Sequence, residues 1–190
     1  MATRNTGAFD SRHQWTGGDL PEAESEQFQR GKSEALDRLL RFTGPDADEA
    51  GAVVLTRNGE IFDFQVGVED EVLVTCPSAE EFALLHSHPN GFPQSLQDWA
   101  NLLTLDGIQQ SHVITAKETY SLHKPVRWSQ KILSESAEGA IEEIFSKCLK
   151  TVAEREKLTK RNLTEEQFYE QATHAAARYF RLIFRIGKRS

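Results

Sequence analysis

The sequence predicts an α/β fold, a β-sheet flanked by helices, followed by a helical C-terminal segment. Two patterns carry this expectation. Between residues 50 and 127, short apolar runs are separated by Gly, Pro, Asn and Asp turn signals, as strands are. On both sides of that stretch, apolar residues recur at intervals of three and four, the spacing of an amphipathic helix. With 38% hydrophobic side chains, a chain of 190 residues can bury one sizeable core.

Residues 1–32 are rich in Gly, Ser, Thr, Gln and Glu and are expected to form a flexible N-terminal arm. In "GKSEALDRLLRF", Ala35, Leu36, Leu39 and Leu40 lie at helical spacing, and "TGPDAD" breaks the pattern. "AGAVVLTRNGEIFDFQVG" reads as a strand over 52–56, a turn at Asn58-Gly59 and a strand over 60–66. "EVLVTC" suggests a third strand, and Pro77-Ser78 opens a short helix over "AEEF". "ALLHSH" is a buried strand that ends in polar residues. Ser95 caps a helix running to about Leu105, which Gly107 stops. "SHVITA", a turn at Lys117-Glu118 and "TYSLHKP" form a late hairpin. The core therefore spans 33–127.

Beyond it, over 128–190, Ile141, Ile144, Phe145, Cys148, Leu149 and Val152 mark one amphipathic helix. Thr164 to Gln167 form a capping box, and Phe168, Ala172, Ala175, Tyr179, Ile183 and Ile186 continue a second stripe. This pair is expected to pack on the core or on another copy, as a docking or dimerisation element. Its basic end (Arg178, Arg181, Arg185, Lys188, Arg189) either complements the helix dipole or meets an acidic partner.

The net charge of −7 makes nucleic acid an unfavourable partner, and from Asp46 to Glu81 Arg57 is the only base among ten acids. Cys76 and Cys148 form no CxxC pair and suit a reducing compartment. "MATRNTGAFDSRHQW" has no apolar signal region, and no apolar stretch is long enough to span a membrane. These features predict a cytoplasmic protein, or one exported without a cleaved signal.

The chemistry concentrates in "LLHSHPNGFPQSLQDW", residues 84–99. On an extended backbone His86 and His88 point the same way, so two imidazoles can share one ion. Asp98, one turn into the following helix, supplies a carboxylate. Zinc accepts two histidines and a carboxylate and keeps a fourth position for water, whose pKa it lowers towards about 7. Such a site needs a base, normally a glutamate, to relay the proton to the leaving amine. Taken alone, Ser95 and Asp98 are an ordinary capping pair, with Asp98 near the positive end of the helix dipole. Together with HxH at a strand end and a Pro-Gly turn, they fit one tetrahedral site.

"HSHPNGFPQSLQD" resembles the JAMM signature of the JAB/MPN metalloprotease superfamily, a distant Glu followed by HxHP, a linker and SxxD. It is most similar to the short cores of RadC-like proteins and of JAB domains from bacterial toxins and phages. The resemblance covers Glu49 to His123 and implies an α/β sandwich around a curved sheet. It implies Zn2+ held by His86, His88 and Asp98, with hydrolysis of amide or isopeptide bonds in a peptide, protein or ubiquitin-like substrate. Ser95 becomes the hydroxyl that steadies the tetrahedral intermediate, and Glu49, in "DEAGAVVL", becomes the general base. Glu60 is the main rival, with Glu80 and Glu81 in the helix expected before the histidine strand. Six residues separate His88 from Ser95, one fewer than the commoner eukaryotic pattern. The short run from Glu49 to His86 leaves little room for the insertions that grip ubiquitin.

Two other functions remain open on sequence grounds: a JAB-like binding module without catalysis, and a RadC-like protein associated with DNA. The first normally lacks ligands, and all five candidate residues are present here. His112 and His123 are expected to meet across the late hairpin as a structural pair, and His13 and His174 have no ligand spacing. Trp99 is expected to pack the ligand helix on the core, or to line the cleft with Asn90 and Phe92. Acids near the site would favour a basic substrate tail.

Overall fold

The computed structural model describes residues 13–14, 24–68, 71–126, 128, 134–160 and 162–188. Among these residues, seven strands form a single mixed sheet: β1 (His13–Gln14), β2 (Ala50–Leu55), β3 (Ile61–Val66), β4 (Phe82–Ser87), β5 (Ile108–Ile114), β6 (Glu118–His123) and β7 (Ile183–Lys188). Their order across it is β1-β7-β6-β5-β4-β2-β3. Only β4 and β5 run parallel, since the crossover between them carries a helix, and every other pair is antiparallel. Four helices cover the faces: α1 (Glu26–Leu39), α2 (Leu96–Thr104), α3 (Ser134–Thr159) and α4 (Glu165–Tyr179).

The side-chain alternation of the strands divides the interior into two cores. On one face Ala52 and Val54 of β2, with Ala83 and Leu85 of β4, pack under Phe28, Ala35 and Leu39 of α1. On the other, Val53, Leu55, Phe82 and Leu84 meet α2, α3 and α4, joined by Tyr120, Leu122, Phe184 and Ile186. β2 and β4 are buried along their whole length, as central strands covered on both faces must be.

Several expectations need correction. The arm predicted for 1–32 is structured where it is described: α1 begins at Glu26, capped by Ser25, and His13–Gln14 pairs with β7. The remainder of the arm lies outside the described residues. "EVLVTC" is not a strand beyond a single bridge between Val68 and Glu71. Its alternating valines, Val72 and Val74, lie against Gly51, where an added Cβ would come within 2.9 Å of Val74 and 3.2 Å of Val72. The apolar pattern there serves packing rather than pairing. No helix forms over "AEEF": residues 78–80 bend and Phe82 already enters β4.

The second C-terminal stripe also stops being helical. Phe180 caps α4, Arg181 takes a positive φ of 54°, and the following residues form β7. Leu182, Phe184 and Ile186 alternate in the strand period, so the sheet claims them. The C-terminal segment is therefore a helical pair plus a strand of the main sheet. Arg185 and Lys188 sit on that strand, which removes the helix-dipole explanation for them. Among the described residues, no helix is long and apolar enough to cross a membrane.

A candidate metal centre at the end of β4

β4 delivers His86 on the face that packs under α2, two residues after Leu84. His88 lies one residue past the strand, yet its backbone N–H still donates to Ile114 O at 2.8 Å, which prolongs the β4–β5 pairing. Gly91 then turns the chain with a φ of 83°, a conformation that favours glycine. Its N–H donates to His88 O, and Asn90 Oδ1 accepts from Phe92 N. Gln94, buried at the end of the linker, donates from Nε2 to Tyr120 O and Ser111 O and so pins the loop to the sheet. Ser95 caps α2 through a reciprocal box with Asp98, as expected. The six-residue linker is thus long enough, because each of its turns is tied down.

These constraints bring three donor groups together. His86 Nε2 lies 3.0 Å from His88 Nε2 and 3.0 Å from Asp98 Oδ1, and His88 Nε2 is 3.5 Å from Asp98 Oδ2. A tetrahedral zinc with bonds of about 2.0–2.1 Å holds its ligand atoms about 3.3–3.4 Å apart. The observed spacings bracket that edge, so the donor set fits such an ion. No other residue joins this cluster among those described. Both histidines and Asp98 are buried, and Ser95 at the rim is exposed.

The surroundings prepare each donor. His88 Nδ1 is 3.0 Å from the carbonyl oxygen of Phe92. A carbonyl only accepts, so Nδ1 carries the proton and Nε2 keeps a free lone pair towards the centre. Asp98 Oδ2 accepts from Ser95 N at 2.7 Å and Ser95 Oγ at 2.8 Å, which orients the carboxylate. Burial opposes charge on all three. Against it, the His86 ring holds the Asp98 carboxyl well below the usual range. Burial also disfavours a charged His86, yet Asp98 and then Glu49 keep its pKa above the ordinary histidine value. His88 goes the other way, because burial and then the charge of His86 push it down to about 4. His86 Nδ1 is buried without a hydrogen-bond partner.

The candidate bases separate cleanly. Gly51 pairs with His86, so two further steps of that antiparallel register set Glu49 beside His88. Glu49 is buried, and its Oε1 lies 3.7 Å from His88 Nε2. Glu60 follows the turn at the far end of β2, about 20 Å along the strand at 3.4 Å per residue. It is exposed and accepts from Asn58 there. Glu80 pairs with Arg57, and Glu81 accepts from Gln109, both at that same far end.

Other sequence candidates take structural places. His112 and His123 do meet, with ring centroids 5.3 Å apart on the α1 side of the sheet. His112 bonds Ser121 and Gln110, and Gln110 joins Lys32 and Glu24. Trp99 is fully buried against Phe145 and Phe180, so it packs α2 on the core and does not line the cleft. Asn90 and Phe92 do line it. Sequence reasoning missed the Phe92 carbonyl, Gln94, and the cleft wall built by α3 and α4; a backbone acceptor leaves no sequence signal at all. Comparison with known proteins finds no matching family model, no similar curated protein and no similar solved structure.

Proposed function

We propose that this chain is a zinc-dependent metallopeptidase that hydrolyses a peptide or isopeptide bond, cytoplasmic and similar in chemistry to JAB/MPN proteases. The observation that carries the reading is the convergence of His86, His88 and Asp98 on one point, with Glu49 beside it. The motif order and the mixed sheet between helices support it further. His86 Nε2, His88 Nε2 and the Asp98 carboxylate would hold the ion. Bound there, zinc would supply Lewis-acid polarisation and bring the pKa of a coordinated water towards about 7.

The remaining steps belong to the chain. Glu49, shielded from bulk solvent, accepts the proton of the water that adds to the scissile carbonyl. It then passes that proton to the leaving nitrogen as the C–N bond breaks, giving a carboxylate and an amine. Ser95 Oγ, at the exposed edge of the centre, turns from Asp98 to donate to the developing oxyanion. His88 and Asp98 stay oriented throughout by Phe92 O and the Ser95 N–H.

The test is digestion of a proteome-derived peptide mixture, including lysine-branched isopeptides, read by mass spectrometry for new carboxyl termini and the amines released with them, whether α-amino or lysine ε-amino. Cleavage should require zinc. Glu49→Gln should keep the metal and lose about 100-fold or more of the turnover, the usual scale of acid–base assistance. Glu60→Gln should behave as the parent chain. Cleavage that survives both chelation and Glu49→Gln would overturn the proposal.

A further inference from the structure

We propose that the cleft between the His88–Ser95 loop and the C-terminal helix pair is a binding site for a peptide bearing a large apolar side chain flanked by basic residues. This rests on the peptidase reading and names the substrate class for that centre. The cleft has a volume of about 430 Å³, and His88 and Ser95 of the candidate metal centre are part of its lining. That size lies within the range of built ligand sites, about 300–1,000 Å³. A peptide whose scissile bond lies at the metal centre therefore has its neighbouring side chain in this cleft.

Its walls combine an apolar patch with polar and acidic groups. The Phe92 and Tyr169 rings meet edge to face with centroids 5.2 Å apart, Phe145 and Leu149 line the cleft from α3, and Leu96, also in the lining, stands 45% exposed. An aliphatic residue so open at the first turn of a helix gains by being covered. The charged residues in the lining are both acids, Glu142 on α3 and Glu165 on α4, and both are exposed. Among the described residues, no lysine or arginine lines the cleft. Field from those two carboxylates favours cationic neighbours on the bound peptide and repels acidic ones. Phe92 links recognition to the centre, since its ring lines the cleft while its carbonyl orients His88. Tyr169 and Leu149 are accordingly specificity-determining residues contributed by a segment outside the metal motif.

Three dye-labelled hexapeptides test this by fluorescence anisotropy, titrated into the full chain as purified and again with EDTA. One carries Phe-Leu between lysines, the second Ala-Ala between lysines, the third Phe-Leu between glutamates. The first should bind roughly tenfold tighter than either of the others, and added NaCl should narrow its lead over the third. Tyr169→Ala and Leu149→Ala should each weaken it by about tenfold. Leu96→Ala, which alters the mouth without touching the core, should weaken it in the same direction. Glu142→Gln with Glu165→Gln should erase the lysine preference and leave the Phe-Leu preference. Equal binding of the three peptides, or binding indifferent to Tyr169→Ala and Leu96→Ala, would overturn the assignment. If the preference holds in EDTA while no zinc is ever bound, the cleft stands and the peptidase reading falls. If zinc-dependent cleavage occurs without the preference, the cleft assignment alone falls.

Discussion

His86 and His88 stand two residues apart, and opposite surroundings give them opposite proton affinities. Burial disfavours charge on both, but Asp98 and Glu49 outweigh it and raise the first, whereas burial and its cationic neighbour lower the second. On the far side of the sheet, burial, helped by Lys32 and Arg185, lowers His123 to about 3. Burial, followed by His123 and Lys32, also places His112 well below its usual value. A histidine whose folded pKa is depressed binds fewer protons folded than unfolded, so stability is complete above about 6.5 and is lost as pH falls towards the folded value. Metal-free protein should therefore lose unfolding free energy between pH 7 and 5, by up to about 1.4 kcal/mol per pH unit for each such histidine. Urea unfolding at several pH values in EDTA measures this, and His123→Gln should flatten the slope. A midpoint constant over that range would contradict the buried neutral pair. At this scale the clustering of His86, His88 and Asp98 was legible, because HxH on a strand and SxxD at a helix start impose direction by themselves. Glu49 was legible only as one of several acids, since the register that selects it depends on which strand pairs with β4.

The hairpin turn at Asn58-Gly59 formed where its sequence pointed, and it also fixes how α1 sits. Gly59 has a φ of 73°, and a Cβ on Gly31 of α1 would lie 1.7 Å from its carbonyl oxygen. Two glycines thus let a helix touch a turn backbone to backbone. Gly31→Ala should cost about 1–3 kcal/mol or more by overpacking, and lower Tm by at least about 3 °C for a chain of this size. Thermal unfolding followed by circular dichroism checks it, and an unchanged Tm would show that α1 packs elsewhere. Elements with their own periodicity and caps, such as α2 and α4, were legible in sequence for the same local reasons. Those that depend on partners were not. Val72 and Val74 alternate as strand residues do, but they find the sheet face at Gly51 instead of a strand edge. The stripe ending at Ile186 satisfied the helical period by coincidence until Arg181 broke the helix.

At the scale of the molecule, β7 makes the C-terminal segment part of the domain. It pairs with β6 from Glu118–Lys188 to His123–Ile183, and Trp128 Nε1 donates to Phe180 O at 2.9 Å. Helices α3 and α4 cover the back of α2, with Phe145 and Phe180 against Trp99. A chain ending at Ser129 would expose the β6 edge and half of the larger core, so it should lose cooperative unfolding and associate. Size-exclusion chromatography with a thermal melt decides this, and a monomeric fragment with a sharp transition would contradict the shared core. Sequence periodicity hid this dependence because an insertion of two helices separates β6 from its neighbour.

The central claim is that His86, His88 and Asp98 hold a metal ion, and a proton is the rival occupant. A protonated His86 between Asp98 and His88 would satisfy the same three groups without any ion. Elemental analysis of protein equilibrated with zinc and desalted separates the two directly. The account predicts one zinc per chain, lowered by His86→Ala, His88→Ala or Asp98→Ala and kept by Glu49→Gln. A parent chain that retains no zinc, or a His86→Ala/His88→Ala double variant that retains it in full, would contradict the account.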